Sequence, residues 1–133
     1  MKDRPPSLLI GERDPFMRRA LEKALKPHYT LTFADNGIQV LNLARTSRPK
    51  AIILEVLLPV QDGFQVCKRL KEDPQTRQIP VLFFTLLQAS DRAFQAGADE
   101  FLLKPIRENL LLKTIQFLLT KSSAEQDDFN VSE

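Results

Sequence analysis

The sequence predicts an α/β fold in three layers, a five-stranded parallel sheet with helices on both faces. Three observations predict it. Short apolar or β-branched runs alternate with helical periods along the whole chain, the rhythm of βαβ units joined by right-handed crossovers. Two of those runs, beginning at Ala51 and Ile79, are apolar without alternation, as strands buried on both faces are. Four of the runs hand over at once to polar residues: Glu12-Arg13-Asp14, Glu55, Thr85 and Lys104. Open α/β sheets place their chemistry at the carboxyl ends of the strands.

In chain order, Ser7–Gly11 reads as the first strand. Asp14-Pro15 opens a helix, with Asp as N-cap and Pro at the first helical position. Met17, Ala20, Leu21, Ala24 and Leu25 give it one apolar face, and Pro27 stops it. Thr30–Ala34 is β-branched and aromatic, a second strand. Asp35-Asn36-Gly37 is a turn. Ile38 to Thr46 is a helix with Val40, Leu41 and Ala44 inward. The central strand starts at Ala51, and Pro59 with Asp62-Gly63 marks the loop after it. Phe64–Glu72 is a helix with Phe64, Cys67 and Leu70 on one face. After the polar loop Asp73–Gln78 comes the strand Ile79–Phe84, ending on Thr85. Ser90 caps a short helix that Gly97 closes. Asp99–Leu103 is the fifth strand, followed by Lys104-Pro105, and Arg107–Thr120 is the last of five helices. Residues 1–6 read as an N-terminal extension, 7–120 as the folded domain, and 121–133 as a disordered acidic tail.

Composition narrows the function. At 133 residues with 43% hydrophobic content the chain builds one core. A net charge of +2, scattered cations, no Trp and one Tyr argue against nucleic acid and anionic membranes. One cysteine, Cys67, excludes an internal disulfide and suits a reducing compartment. With neither a leader pattern nor a membrane-length apolar run, the expected location is cytoplasmic. No Ser/His/Asp set, Cys/His metal pattern or P-loop is present, so an enzyme is not expected.

The sequence resembles a response-regulator receiver domain of the CheY-like kind over roughly residues 7 to 120. The pieces that carry the likeness are LLIGERDPFMRRALEKAL, ADNGIQVL, the PK-AIILEVLLPVQDGFQVCKRLK block, PVLFFT and AGADEFLLKP. The resemblance implies a flavodoxin-like fold with strand order 2-1-3-4-5 and a cis Lys104-Pro105 bond. It also implies chemistry. Two acids after the first strand and an aspartate after the third bind Mg²⁺. That aspartate accepts a phosphoryl group from a histidine kinase, and a Thr and a Lys grip it. Thr85, Lys104 and Glu12 match the pattern. Arg13 stands where the second acid is expected and Glu55 where the phosphoacceptor is expected.

Both departures strike the chemistry. Arg13 exchanges a hard oxygen ligand for a permanent cation. Glu55 is one methylene too long for in-line transfer and brings one negative charge where a phosphate brings nearly two. No cofactor is therefore expected; Glu12 and Glu55 alone would make at most a weak magnesium site. The expected replacement is a carboxylate–guanidinium–ammonium network in which Arg13 and Lys104 pair with Glu55 or Glu12. The stretch from Thr85 to Lys104 is about one helical turn shorter than the family pattern, and Phe101 takes the place of the switch aromatic.

Each residue also has a plain reading: Glu55 a solvated carboxylate, Arg13 and Lys104 surface cations, Thr85 a hydroxyl bonding its own backbone. For Asp14 a helix cap outweighs a ligand, for Asp62 turn chemistry outweighs a site, His28 reads as a surface residue and Cys67 as core. On the last helix Leu111, Thr114, Ile115 and Leu118 form the core stripe, while Leu110 and Phe117 flank it as interface candidates. The reading is a stand-alone pseudo-receiver, a signalling module that acts by phosphorylation-independent protein–protein interaction. Its partners would be a histidine kinase, an output protein or a second copy through the fourth helix, fifth strand and fifth helix. The alternatives are a phosphorelay protein whose acceptor is Glu55 or a neighbouring carboxylate, and a homodimeric adaptor working through the last helix.

Overall fold

Why the strands lie where they do follows from burial on both faces. In the computed structural model, which describes residues 4–131 with side chains through Lys121, five parallel strands are ordered β2-β1-β3-β4-β5. They are β1 (Ser7–Gly11), β2 (Thr30–Ala34), β3 (Ala51–Leu54), β4 (Val81–Thr85) and β5 (Glu100–Leu103). Every residue of β3 and β4 is buried, as their unbroken apolar runs require. The helices are α1 (Pro15–Leu25), α2 (Gly37–Ser47), α3 (Gly63–Glu72), α4 (Ser90–Gln95) and α5 (Glu108–Val131). This is the flavodoxin-like sandwich that the family resemblance implies, with the parallel sheet that the sequence pattern predicts.

Two cores flank the sheet. Leu9, Ile52, Leu54, Val81 and Phe83 face α2, α3 and α4, where they meet Val40, Val66, Leu70 and Ala93. Leu8, Ile10, Ile53, Leu82 and Phe84 face α1 and α5, where they meet Leu21, Leu25, Leu111, Ile115 and Leu118. Alternation along each strand sends neighbouring side chains to opposite cores.

Three helix starts show local chemistry. Asp14 caps α1 by accepting from the Phe16 and Met17 amides, with Pro15 at the first position. Asn36, expected only as part of a turn, caps α2 by accepting from the Gln39 amide. Asp62 and Gln65 form a reciprocal capping box on α3, which realises the turn reading of Asp62. Ser90 does not cap α4 as expected. It is the first helical residue, and Ala89 occupies the cap position without a side-chain bond. Gly97 ends that segment at φ +105, and Lys104-Pro105 is cis.

In the tail expected over 121–133, α5 continues as far as Val131; Ser132 and Glu133, like residues 1–3 of the N-terminal extension, lie outside the described residues. From Arg107 onward the chain has no Gly or Pro to stop a helix, and polar composition alone does not end one.

Gly63 matters for the site because it lets α3 begin against the β3 end. A Cβ there would stand 2.6 Å from the Glu55 carbonyl oxygen and 2.8 Å from Val56 Cα, both backbone atoms. Gly63→Ala is expected to cost about 2–3 kcal/mol by overpacking, read as a lower urea midpoint with an unchanged slope.

Candidate functional site

The strand ends stay extended for one residue beyond each ladder, and this aims the polar side chains. The Glu12 amide donates to the Ala34 carbonyl at 2.9 Å, the Glu55 amide to Gly11 at 3.0 Å and the Lys104 amide to Thr85 at 2.8 Å. Glu12, Glu55 and Thr85 are consequently buried beside one another, and the Lys104 side chain is only 8% exposed.

One ammonium joins the two carboxylates. Lys104 Nζ donates to Glu12 Oε1 at 2.8 Å and to Glu55 Oε1 at 2.7 Å. The Thr85 hydroxyl donates to Glu55 Oε2 at 2.5 Å, and the Leu57 amide reaches the same oxygen at 3.0 Å. The second oxygen of Glu12 accepts from the Asp14 amide at 3.2 Å, and Thr85 Oγ1 accepts from the Leu87 amide at 3.3 Å. The cluster thus fixes the backbone of both loops that follow β3 and β4.

Sequence reasoning names Glu12, Glu55, Thr85 and Lys104, and the fold brings all four together. It does not bring Arg13. The expected guanidinium pairing is absent: Arg13 is exposed and outside the network. Extended backbone alternates its side chains, so burying Glu12 turns Arg13 outward. Asp14 is spent on the α1 cap, as its plain reading expects. Phe101 is half-buried against the α2–α4 core. Leu110 and Phe117 are exposed, 44% and 54%. His28 is exposed, and burial pushes the Cys67 thiol up to about 12. Leu57 and Leu87, whose amides join the network, are not legible from residue type; the available signal is a side-chain acceptor two residues before each.

Electrostatics follow from this geometry. Burial opposes the charge on Glu55, but the bonds from Lys104, Thr85 and the Leu57 amide outweigh it and hold the carboxyl below its ordinary value of 4.5. Burial likewise opposes the charge on Lys104, yet Glu12 and Glu55 raise its pKa above 10.5. The ionised pair is therefore the folded state's preference. Glu55 contributes stability that is complete above 4.5 and lost as pH falls through its lowered folded value. The Lys104 contribution is complete below 10.5 and lost as pH rises through its raised folded value. A plateau of urea stability between these limits, with losses at both ends, is the expected pH profile.

A magnesium ion fits this donor set poorly. Only two carboxylates converge, and an ammonium nitrogen stands 2.7–2.8 Å from one oxygen of each. Among the described residues no cluster of three or more His, Cys, Asp or Glu side chains is placed to hold a metal, whereas Mg²⁺ demands near-octahedral oxygen coordination.

The chain matches the family described as "Response regulator receiver domain" over residues 8–116. It is 35% identical over 114 residues to the response regulator PleD of Caulobacter vibrioides, covering 84% of this chain and 25% of that protein. It is 32% identical, with a TM-score of 0.84, to a response regulator structure from Chloroflexus aurantiacus, covering 88% of this chain and 99% of that one. The receiver domain of a sensor histidine kinase from Pseudomonas aeruginosa, solved with magnesium coordinated in its cleft, superposes with a TM-score of 0.82 at 27% identity, over 87% of this chain and 98% of that one. The chain spans between a quarter and about half of the length of the curated relatives it matches.

Proposed function

This chain belongs to the response regulator receiver domain family of two-component signal transduction, and from that premise we propose that it is a pseudo-receiver, a protein-interaction module that works without phosphorylation. The observation that carries this reading is the Lys104 ammonium, bonded at once to Glu12 and Glu55. It occupies the ground where a metal and a phosphoryl group would have to enter. Thr85 closes the other Glu55 oxygen, so the carboxylate has no free face for in-line attack. The module holds one arrangement and is not an enzyme. It acts in the cytoplasm and uses neither magnesium nor another cofactor. Its partner is a signalling protein, a kinase or an output protein, or a second copy meeting it through α4, β5 and α5. The exposed Leu110 and Phe117 support that face.

Thr85 and Lys104, both poised on the carboxylate, favour a second reading: a phosphorylation-competent regulator whose acceptor is Glu55 or a neighbouring carboxylate. Amide NMR spectra with and without Mg²⁺ plus beryllofluoride separate the two. The pseudo-receiver is expected to leave the amides of Glu12, Glu55, Leu57, Thr85 and Lys104 unshifted. Saturable shifts clustered at those residues would instead establish a working acceptor site.

A further inference from the structure

The outward side of α1 carries a charge pattern that the proposed function leaves unused. Phe16, Arg19, Lys23 and Lys26 recur at steps of three and four, opposite the core-facing Leu21, Ala24 and Leu25. All four are exposed, Phe16 to 70%. Arg13 stands exposed just before them. Among the described residues the ion pairs engage Arg45, Lys71 and Lys104, and none engages these α1 cations. Glu22 is the one acid on this side of the helix. Arg19, Glu22, Lys23, Lys26 and Pro27 border a shallow hollow of about 710 Å³.

The matching charge lies in the same chain. Residues 122–133 hold Glu125, Asp127, Asp128 and Glu133 with no cation, and Phe129 sits among them. The segment carries four acids and an aromatic, against the cations and the Phe of α1. It is continuous with α5, which is helical to Val131. With no Gly or Pro after Arg107, returning onto the outward side of its own α1 would require breaking that helix. A neighbouring molecule has no such obstacle. Under a two-fold axis each copy offers one acidic segment and receives one.

We propose that the outward face of α1 is a docking surface for the acidic end of α5 from a second copy of this chain. The attraction is between surface charges, so the dimer is weak and sensitive to salt. It is distinct from any pairing through Leu110 and Phe117.

Sedimentation equilibrium of the full chain tests it, in about 0.05 M and about 0.5 M salt. The expected result is a concentration-dependent dimer at low salt, weakened about tenfold at high salt. Lys23→Glu/Lys26→Glu is expected to weaken it about tenfold or more, and Asp127→Lys/Asp128→Lys to do the same. Combining all four changes restores it, while Phe117→Asp leaves it intact. The substituted α1 lysines are exposed, and circular dichroism confirms that each variant is folded. A monomer at every concentration overturns the proposal. So does a dimer that keeps its strength in Lys23→Glu/Lys26→Glu, one that the combination fails to restore, or one that Phe117→Asp abolishes.

Discussion

Replacing Lys104 by Met is expected to lower stability by about 3–5 kcal/mol near neutral pH. Met matches the length of the lysine stem but carries no charge. The variant leaves Glu12 and Glu55, whose side chains are 4% and 9% exposed, with their shared cation gone. Two buried carboxylates then face the same vacated position and repel each other. For a domain of this size the loss corresponds to a melting point lower by about 10–20 °C. Its pH dependence is diagnostic. The parent loses the Glu55 contribution as acid drives the pH below 4.5. The variant recovers stability relative to the parent over the same fall, because protonating Glu55 removes the repulsion. Adding Glu12→Gln and Glu55→Gln to Lys104→Met is expected to return most of the loss, since a neutral cluster has no unpaired charge to bury. Urea midpoints at pH 7 and at about pH 3.5 measure both effects. An unchanged midpoint for Lys104→Met at pH 7 would show that the ammonium is a surface group after all.

Much of this cluster is legible in the sequence, and what is not has physical causes. The unbroken apolar runs of β3 and β4 locate the strand ends, so Glu55 and Thr85 can be placed before any coordinates. The Lys104-Pro105 pair fixes the third corner through its place after β5. Arg13 escapes because residue type suggests a partner while the extended backbone past Gly11 decides its direction. Leu57 and Leu87 enter the network through their amides, which every residue except Pro has, so side-chain identity carries no sign of them. The α4 start escapes for the opposite reason: Ser90 is a good cap by type, but the backbone turns one residue earlier, at Ala89.

A chain carrying Glu55→Asp together with Arg13→Asp is expected to gain what the parent lacks, a saturable response to Mg²⁺ plus beryllofluoride. Aspartate withdraws the carboxylate by one carbon–carbon bond, about 1.5 Å. That is enough to break contacts which now stand at 2.7 Å to Lys104 and 2.5 Å to Thr85. Lys104 keeps Glu12 as a partner at 2.8 Å, so the ammonium is not orphaned, and space opens between it and residue 55. The second change replaces the outward guanidinium beside Glu12 with a short carboxylate at the rim of the cleft, where it can join the coordination of a hard cation through a water. Each change alone is expected to do little. Glu55→Asp without a second acid leaves a poor metal site, and Arg13→Asp beside an unmoved Glu55 leaves the ammonium where the metal would sit. The response is therefore non-additive, as it is for residues sharing one network. Amide shifts at residues 12, 13, 55, 85 and 104 during a magnesium and beryllofluoride titration would report it, with a change of at least about tenfold in the magnesium needed relative to either single variant. A double variant as silent as its parent would mean that the 55–104 pair is not what closes the site, and the shortened stretch between Thr85 and Lys104 would become the element to rebuild.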